Sequence, residues 1–539
     1  MKDLIFPSRK RHFYLLEPFL QHEHNANSCE AAYIIPWTSG FFITTRRLSI
    51  TQGCAGCLVR RLLSTTYHKT ANIHGIDSVW CKTELETNKD VLERAKQTLQ
   101  IPNNPTLCHY FKWESRSYEE IHVIPVPGCN CRSQEAPNLD LNLVRKWLKK
   151  WPNIILDEIK PTKKFSPFLV KSFTLPNTSW LFSTNLNQQF HIPSNPTAAA
   201  FKDSQSLQNR LVGEAIERYS LKYLPQDELY LDKDLRKKAT KNQIQDSSSK
   251  IWTSVTDLEG NSHPIEADRI YNLLFRINQE KYNPISSSGV AAHSDPVNAK
   301  CNALLELLER DALLTSWRLA EHSETLNLSE LPDEVLRNVR EIDWLKHLLN
   351  KKKRVLILRA VNNQYGLPIC LATSLGHDIE EEIQPLFGSG IAFHWETAIK
   401  KALNEILQGL ENPYYDIGDK LPETFVERPA YWAKLEKSNF LRIFLNTTSK
   451  FQSNIHIKSF EDLQTQVLQS NEKIYFANLT PPDVKLGGWH IFRAIAEDFE
   501  PFASSYKNEK PLLERVNRYL NTIGSPSVNS INTQPFPYP

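Results

Sequence analysis

Residues 286–317 read SSSGVAAHSDPVNAKCNALLELLERDALLTSW, and the second half of that stretch decides how the chain is read. From 296 to 320 its spacing and composition predict a long helix. Leu304, Leu305, Leu307 and Leu308 make it apolar, yet Glu306 and Glu309 stand among them, three residues apart and therefore on one face. Charges in such a sequence need partners if the helix is buried. Taken singly, a Glu-x-x-Glu-Arg stretch is usually a solvated helix face.

Here the pattern occurs twice. Residues 208–224 also read as a helix, and there Glu214 and Glu217 stand three apart among Leu211, Val212 and Ile216. A third helix, 395–410, puts Lys401 and Glu405 four apart. Carboxylates on facing helices suit Mg²⁺, which takes oxygen ligands and usually bridges to phosphate oxygens. Basic residues among them neutralise phosphate charge. The chain has neither GxxxxGK[ST] nor GxGxxG, so any ATP would be held by an unusual route.

Outward from these helices, the 539 residues suggest about two to four domains. With 64 Lys+Arg against 61 Asp+Glu, the net charge of +3 argues against a nucleic-acid binder. No apolar run approaches the ~18–20 residues that span a bilayer. The first residues show no signal peptide. A soluble, cytoplasmic protein is expected.

Val355–Leu358 and Ile369–Ala372 read as paired strands around the turn 362–366, with further strands at Lys473–Ala477 and Trp489–Ile495. Residues 238–250 read as an exposed loop. Asp90–Leu99 and Leu141–Trp151 read as helices, and a break falls in 132–165, which ends in the connector 160–164, KPTKK. The expected class is α+β with two domains, 1–155 and 160–539.

Seven of the nine cysteines precede residue 132. Cys54 and Cys57 form a CxxC pair, and Cys129 and Cys131 a CxC pair. Four thiolates suit a closed tetrahedral structural Zn²⁺ site, with no open position for catalysis. The alternative is four unrelated buried thiols.

The glutamate blocks together resemble the YcaO family of ATP- and Mg²⁺-dependent enzymes that activate backbone amides. Residues 213–220 (GEAIERYS), 286–317 and 388–408 (GSGIAFHWETAIKKALNEILQ) are similar, in order, to its three motifs, and the likeness spans roughly 160–539. The end, 535–539 (PFPYP), is similar to the PxPxP terminus of the azoline-forming branch. GCAGCLVRRLL and HVIPVPGCNC resemble the front domain of SagD-type thiazole/oxazole peptide maturases.

The resemblance implies a YcaO-type domain of mixed sheets and helices behind a smaller cysteine-rich, E1-like docking domain. Glu214, Glu217, Glu306 and Glu309 would hold Mg²⁺ and, through it, ATP. Arg310 would contact phosphate, Lys401 and Glu405 would complete the site, and the Pro539 carboxylate would be the general base. The implied reaction is cyclodehydration of Cys, Ser or Thr in a ribosomal precursor peptide to thiazoline or oxazoline, as in bacteriocin biosynthesis. A separate leader-binding E1-like (ThiF-like) protein, a flavin dehydrogenase and a homodimer are the implied partners. Alternatives are a docking scaffold, or a YcaO enzyme making thioamides or amidines.

This sequence departs from the family pattern at several places. Lys401 stands for the usual Arg, and Asn298 for an acidic ligand eight residues before Glu306. Ser288 and Ser294 replace asparagines, and Lys202 lies about two positions from the register of the family's Gly-Lys-Gly lysine.

Overall fold

The computed structural model describes residues 4–5, 32–37, 40–44, 53, 55–66, 108–112, 115, 117–127, 141–148, 153, 157–159, 164–165, 168–174, 197–201, 204–221, 223–225, 228–231, 250–271, 287–319, 326–327, 333–377, 384–410, 418, 420–422, 427–434, 437, 441, 457–500, 502 and 509–537. The expected helix 90–99, most of the 238–250 loop, and Cys54, Cys129, Cys131, Lys202 and Pro539 lie outside them.

Within the described residues the chain alternates strands and helices and forms several sheets. The first has the order β1-β2-β3-β4-β5, from Leu4–Ile5, Ala32–Trp37, Gly40–Thr44, Cys108–Lys112 and Ser117–Glu120. Helix α1 (Ala55–Thr66) lies between β3 and β4 in sequence, and α2 (Leu141–Leu148) follows β5. Next come β6 (Asp157–Ile159), β7 (Lys164–Phe165), β8 (Phe168–Thr174) and β9 (Thr197–Phe201), with β6, β7 and β9 all paired to β8. The Lys/Pro-rich connector thus ends in a strand, because Lys164 pairs with Leu169.

Helix α3 (Ser204–Ser220) leads to β10 (Trp252–Asp257), β11 (Ser262–Glu266) and β12 (Val290–His293). The long predicted helix is α4 (Pro296–Arg318), followed by β13 (Leu326–Asn327), α5 (Asp333–Asn338) and α6 (Glu341–Asn350). The predicted hairpin is β14 (Arg354–Ala360) and β15 (Ile369–Gly376), in register from Arg354↔Gly376 to Ala360↔Cys370. Asn363 closes its turn, its Oδ1 accepting from the N–H groups of Tyr365 and Leu367, both at 3.1 Å.

Strand β16 (Leu386–Ile391) and helix α7 (Trp395–Gly409) come next, then α8 (Arg428–Trp432) and α9 (Phe460–Gln469). The chain continues through β17 (Ile474–Asn478), α10 (Pro482–Leu486), β18 (His490–Ala496) and α11 (Leu513–Thr522). Two antiparallel sheets matter for function. One has the order β11-β10-β17-β18-β12, the other β13-β14-β15-β16. Each presents an edge strand, β12 or β16, that bears chemistry described below.

Helix α4 packs against β12 and β18 on one side and β16 on the other. It starts where Asp295 accepts a capping bond from the Asn298 N–H at 2.9 Å and Pro296 takes the first turn. Leu304, Leu305, Leu308, Leu313 and Trp317 are buried around it, and a helix apolar all round belongs inside the protein. Helix α7 is one-sided: Ala398, Ile399, Ala402, Leu403, Ile406 and Leu407 form the stripe it buries.

One buried cluster holds Cys57, Leu58 and Leu62 of α1 together with Leu207, Leu211 and Ile216 of α3 and Val484 of α10. Through it Arg61 donates to the Ile124 carbonyl at 2.7 Å and pairs with Asp483 at 2.9 Å, both side chains fully buried. Asp483 also accepts from the Tyr219 hydroxyl at 2.6 Å. Residues on both sides of the sequence break therefore share apolar and ionic contacts.

Candidate active site

The cleft lies between the two sheet edges. An edge strand leaves backbone N–H and C=O groups that other parts of the protein must satisfy. At β12, the Ala292 N–H donates to Glu217 Oε1 at 2.8 Å, so α3 reaches that edge through a carboxylate. At β16, the Ser389 N–H donates to Glu405 Oε2 at 2.7 Å, and Lys401 Nζ donates to the Ile391 carbonyl at 3.0 Å. Helix α7 thus covers the second edge with two of the expected site residues.

The sequence of β16 explains why α7 sits so close. Side chains alternate along a strand, so positions 388 and 390 face one way and 389 the other. Gly388 and Gly390 face α7, where any Cβ would run into the Ala402 and Ala398 carbonyl oxygens. Ser389, on the opposite side, hydrogen-bonds through its Oγ to Glu309 of α4. One tripeptide therefore joins the helices that carry Glu309 and Glu405.

Glu214, Glu217, Glu306, Glu309, Glu405, Arg310 and Lys401 all line a single cavity of about 1360 Å³. Of the residues expected at the nucleotide site, only Lys202 and Pro539 lie outside the described chain. Glu214 is paired with Arg218 one turn along at 3.7 Å. Glu309 is buried, at 6% exposure.

Burial in the cleft, with Glu306 nearby as the next contribution, pushes the Glu217 carboxyl up to about 8. Burial likewise pushes Glu306 up to about 7; Arg310 and Arg218 pull it down, while Glu309 and Glu405 push it higher. Crowded, desolvated carboxylates of this kind favour a proton or a metal cation. Behind them, Arg493 of β18 donates to the Ile270 carbonyl at 3.1 Å. Burial lowers its pKa to about 10, against the attraction of Glu306.

Among the described residues, no three His, Cys, Asp or Glu side chains gather closely enough to hold one metal ion between them. Cys57, of the expected zinc set, is buried, and its Sγ accepts from the Val126 N–H at 3.3 Å. Asn298 is exposed in the first turn of α4, away from the cavity; Asn302, one turn on, lines it.

Ser389, Arg218, Asn302 and Arg493 were missed by the sequence reading. Ser389 had a signal in the flanking glycines. Arg493, in the plain strand HIFRAIA, had none.

The C-terminal segment is firmly docked as far as the structure describes it. Trp317 Nε1 and Arg318 Nη1 donate to the Gln534 carbonyl at 3.0 and 3.3 Å, and Arg428 Nη1 to that of Phe536 at 3.1 Å. Phe536 is buried edge-on to Phe502, their centroids 5.7 Å apart. The Phe502 ring lies 5.3 Å from the guanidinium of Arg310. Two aromatic rings thus connect the end of the described chain to the cavity wall.

The fold is shared with solved proteins. A heterocyclase determined in complex with substrate and cofactor is similar at a TM-score of 0.68 and 15% identity, covering 97% of this chain and 80% of its own. The heterocyclase TruD is similar at 0.51 and 15% identity, covering 98% and 77%. No curated protein matches by sequence. The family model described as YcaO cyclodehydratase, ATP- and Mg²⁺-binding, matches residues 205–500, more than half of the chain and all five cleft glutamates. The chain belongs to the YcaO family.

Proposed function

We propose that this chain is a SagD-like cyclodehydratase component that converts Cys, Ser or Thr of a ribosomal precursor peptide to thiazoline or oxazoline, consuming ATP with Mg²⁺. The observation that carries the reading is the convergence of Glu217, Glu306, Glu309 and Glu405 with Arg310 and Lys401 on one cavity. Two of these carboxyls are raised by burial and crowding. That donor set fits Mg²⁺·ATP, because Mg²⁺ is commonly held by one or two carboxylates plus substrate phosphates rather than by an all-protein cage.

In this reading Glu214, Glu217, Glu306 and Glu309 are the carboxylates that would hold Mg²⁺, one or two of them to an ion with phosphate oxygens beside them. Arg310, Lys401 and Lys202 offset phosphate charge, and Glu405 completes the site. ATP supplies the phosphoryl group that turns the amide oxygen into a leaving group. The substrate thiol or hydroxyl loses its proton and adds to the preceding amide carbon, forming C–S or C–O, and the amide oxygen takes the γ-phosphoryl of ATP with release of ADP. The oxygen departs as phosphate, and the amide N–H proton is lost as C=N forms. One water's worth of atoms leaves the peptide. The Pro539 carboxylate is the proposed base for these protons, and the chain's own work is positioning and charge neutralisation.

The same reading takes residues 1–155 as a docking domain around Zn²⁺ on Cys54, Cys57, Cys129 and Cys131, and 160–539 as the catalytic domain. Its proposed partners are a leader-binding E1-like protein, a flavin dehydrogenase and a second copy of this chain. The proposed compartment is the cytoplasm; among the described residues no helix is long and apolar enough to cross a membrane.

A second reading, a non-catalytic scaffold of the same fold, is favoured by Lys401, whose ammonium is engaged by a strand carbonyl, and by exposed Asn298. Calorimetric titration of ATP, with and without Mg²⁺, separates the two. Mg²⁺-dependent binding that disappears in Glu306→Ala is expected. Absence of binding in the parent protein sinks the cyclodehydratase reading in favour of the scaffold.

A further inference from the structure

One wall of the cleft is made by residues that this reading leaves unused. Asn142, Arg145 and Lys146 of α2 line the same cavity as the carboxylates, together with Arg210 and Trp489. Arg145 is held in place: its Nε donates to the Gly487 carbonyl at 2.8 Å, and its guanidinium lies 5.4 Å from the centroid of the Trp489 ring. Helix α2 lies flush on the turn after α10. A Cβ at Gly487 would meet Leu148 at 2.6 Å, and one at Gly488 would meet Leu141 at 3.0 Å. Lys146 and Arg210 are exposed at the rim.

Size separates this wall from the metal site. Arg210 stands four residues before Glu214 on α3, which at 1.5 Å per residue is about 6 Å, so the wall borders the carboxylate cluster. None of the cavity residues that α2 supplies is acidic. The cavity, about 1360 Å³, exceeds the roughly 300–1,000 Å³ of a site for one small ligand. A nucleotide leaves space for a length of peptide.

We propose that Arg145, Lys146 and Arg210, with the Trp489 ring as an apolar floor, form a subsite for the substrate polypeptide. This subsite selects a stretch carrying Asp or Glu beside the reacting residue. The inference rests on the cyclodehydratase reading and adds a substrate preference to it. A guanidinium already fixed by a carbonyl and a ring loses little freedom when it meets a carboxylate, and its planar fork matches one. A flat aromatic surface adds sequence-tolerant contact with the adjoining chain.

The test uses the full chain and two fluorescein-labelled decapeptides, identical except that the central Cys is flanked by Glu in one and Lys in the other. Anisotropy titration at low salt is expected to show the Glu peptide binding about tenfold tighter, a difference of about 1.4 kcal/mol. In Arg145→Glu/Lys146→Glu the preference inverts, while Mg²⁺·ATP affinity measured on the same sample stays within about twofold. Lys146→Glu alone, at an exposed site, serves if the double variant does not fold, and is expected to shrink the preference about threefold. Equal affinity of the parent protein for both peptides overturns the proposal. So does a charge reversal that weakens Mg²⁺·ATP and leaves peptide preference intact, since the wall then belongs to the nucleotide. Failure of the cyclodehydratase reading is distinct: neither peptide loses the mass of water with ATP, whatever its affinity.

Discussion

Glu306 and Glu309 face the cleft from helix α4, whereas Asp311 and Arg318 of the same helix face the body of the protein. In the body, carboxylates and guanidinium groups close on one another. Arg515 Nε donates to Asp311 Oδ1 at 3.0 Å, its Nη2 bonds the other oxygen, and its Nη1 meets Glu472 at 2.7 Å. Arg318 is bonded to Glu500 and, at 2.9 Å, to Glu509. In the cleft, Glu306 has Arg310 and Arg218 to draw its pKa down but Glu309 and Glu405 to raise it, and burial dominates. Two residues along one helix, from Glu309 to Asp311, thus separate charges that face the cleft from charges that hold the fold together.

The body side gives the larger effect. Arg515→Ala leaves Asp311 buried without its guanidinium and Glu472 with only that of Arg518, at 3.7 Å, and removing one partner of a buried pair costs about 3–5 kcal/mol. A drop of that size in unfolding free energy is expected from urea titration. Replacing Arg515, Asp311 and Glu472 with apolar residues of similar volume should restore much of it. A loss for Arg515→Ala below roughly 1 kcal/mol, the scale of an ordinary substitution, would erase the contrast between the two faces.

This contrast was only half legible in the sequence. The apolar run around Glu306 and Glu309 and the spacing of Glu214 and Glu217 pointed to the cleft helices. The hairpin at 354–376 followed from local alternation and a turn. What could not be read was the pairing of distant residues. Arg515 lies in LERVNRYL, which looks like any solvated amphipathic helix, and its partner is 204 positions away. Likewise, Glu217 reads as a metal-site candidate and Glu405 as a residue that completes the site, and nothing local shows that each also accepts an edge-strand N–H. Sheet order is set by packing over long range, and the edges that need covering are known only once the sheets are formed.

On the cleft side the expected effect is smaller and depends on pH. Glu217 at about 8 and Glu306 at about 7 both lie above the ordinary 4.5. The folded protein therefore binds more protons than the unfolded chain between those values. Their contribution is fully present below about pH 4.5 and is lost as pH rises through 7 to 8. The Tm of metal-free protein is expected to fall over that window more than in Glu217→Gln/Glu306→Gln, which cannot ionise there. Mg²⁺ at pH 8 should recover part of the difference in the parent protein only, since the metal takes the place of the protons. Parallel Tm profiles for the two proteins would show that the cleft carboxylates are as well compensated as those in the body.

The smallest effect tests where the two regions meet. Phe502 touches the cleft through Arg310 and the body through Arg428, whose guanidinium lies 5.6 Å from its ring, while Phe536 packs on its edge. A cation over an aromatic face contributes about 0.5–1 kcal/mol where it is partly wet. Phe502→Leu keeps the bulk but loses the ring, so the dissociation constant of Mg²⁺·ATP is expected to rise about two- to fivefold through a less well oriented Arg310. Phe502→Trp, which retains a π face, should restore it. If Phe502 serves packing alone, Leu and Trp will each change Tm according to fit and leave nucleotide affinity unmoved. An effect on affinity that Trp rescues and Tm does not track would make Phe502 a positioning residue, through which the docked C-terminal segment acts on the carboxylate cleft.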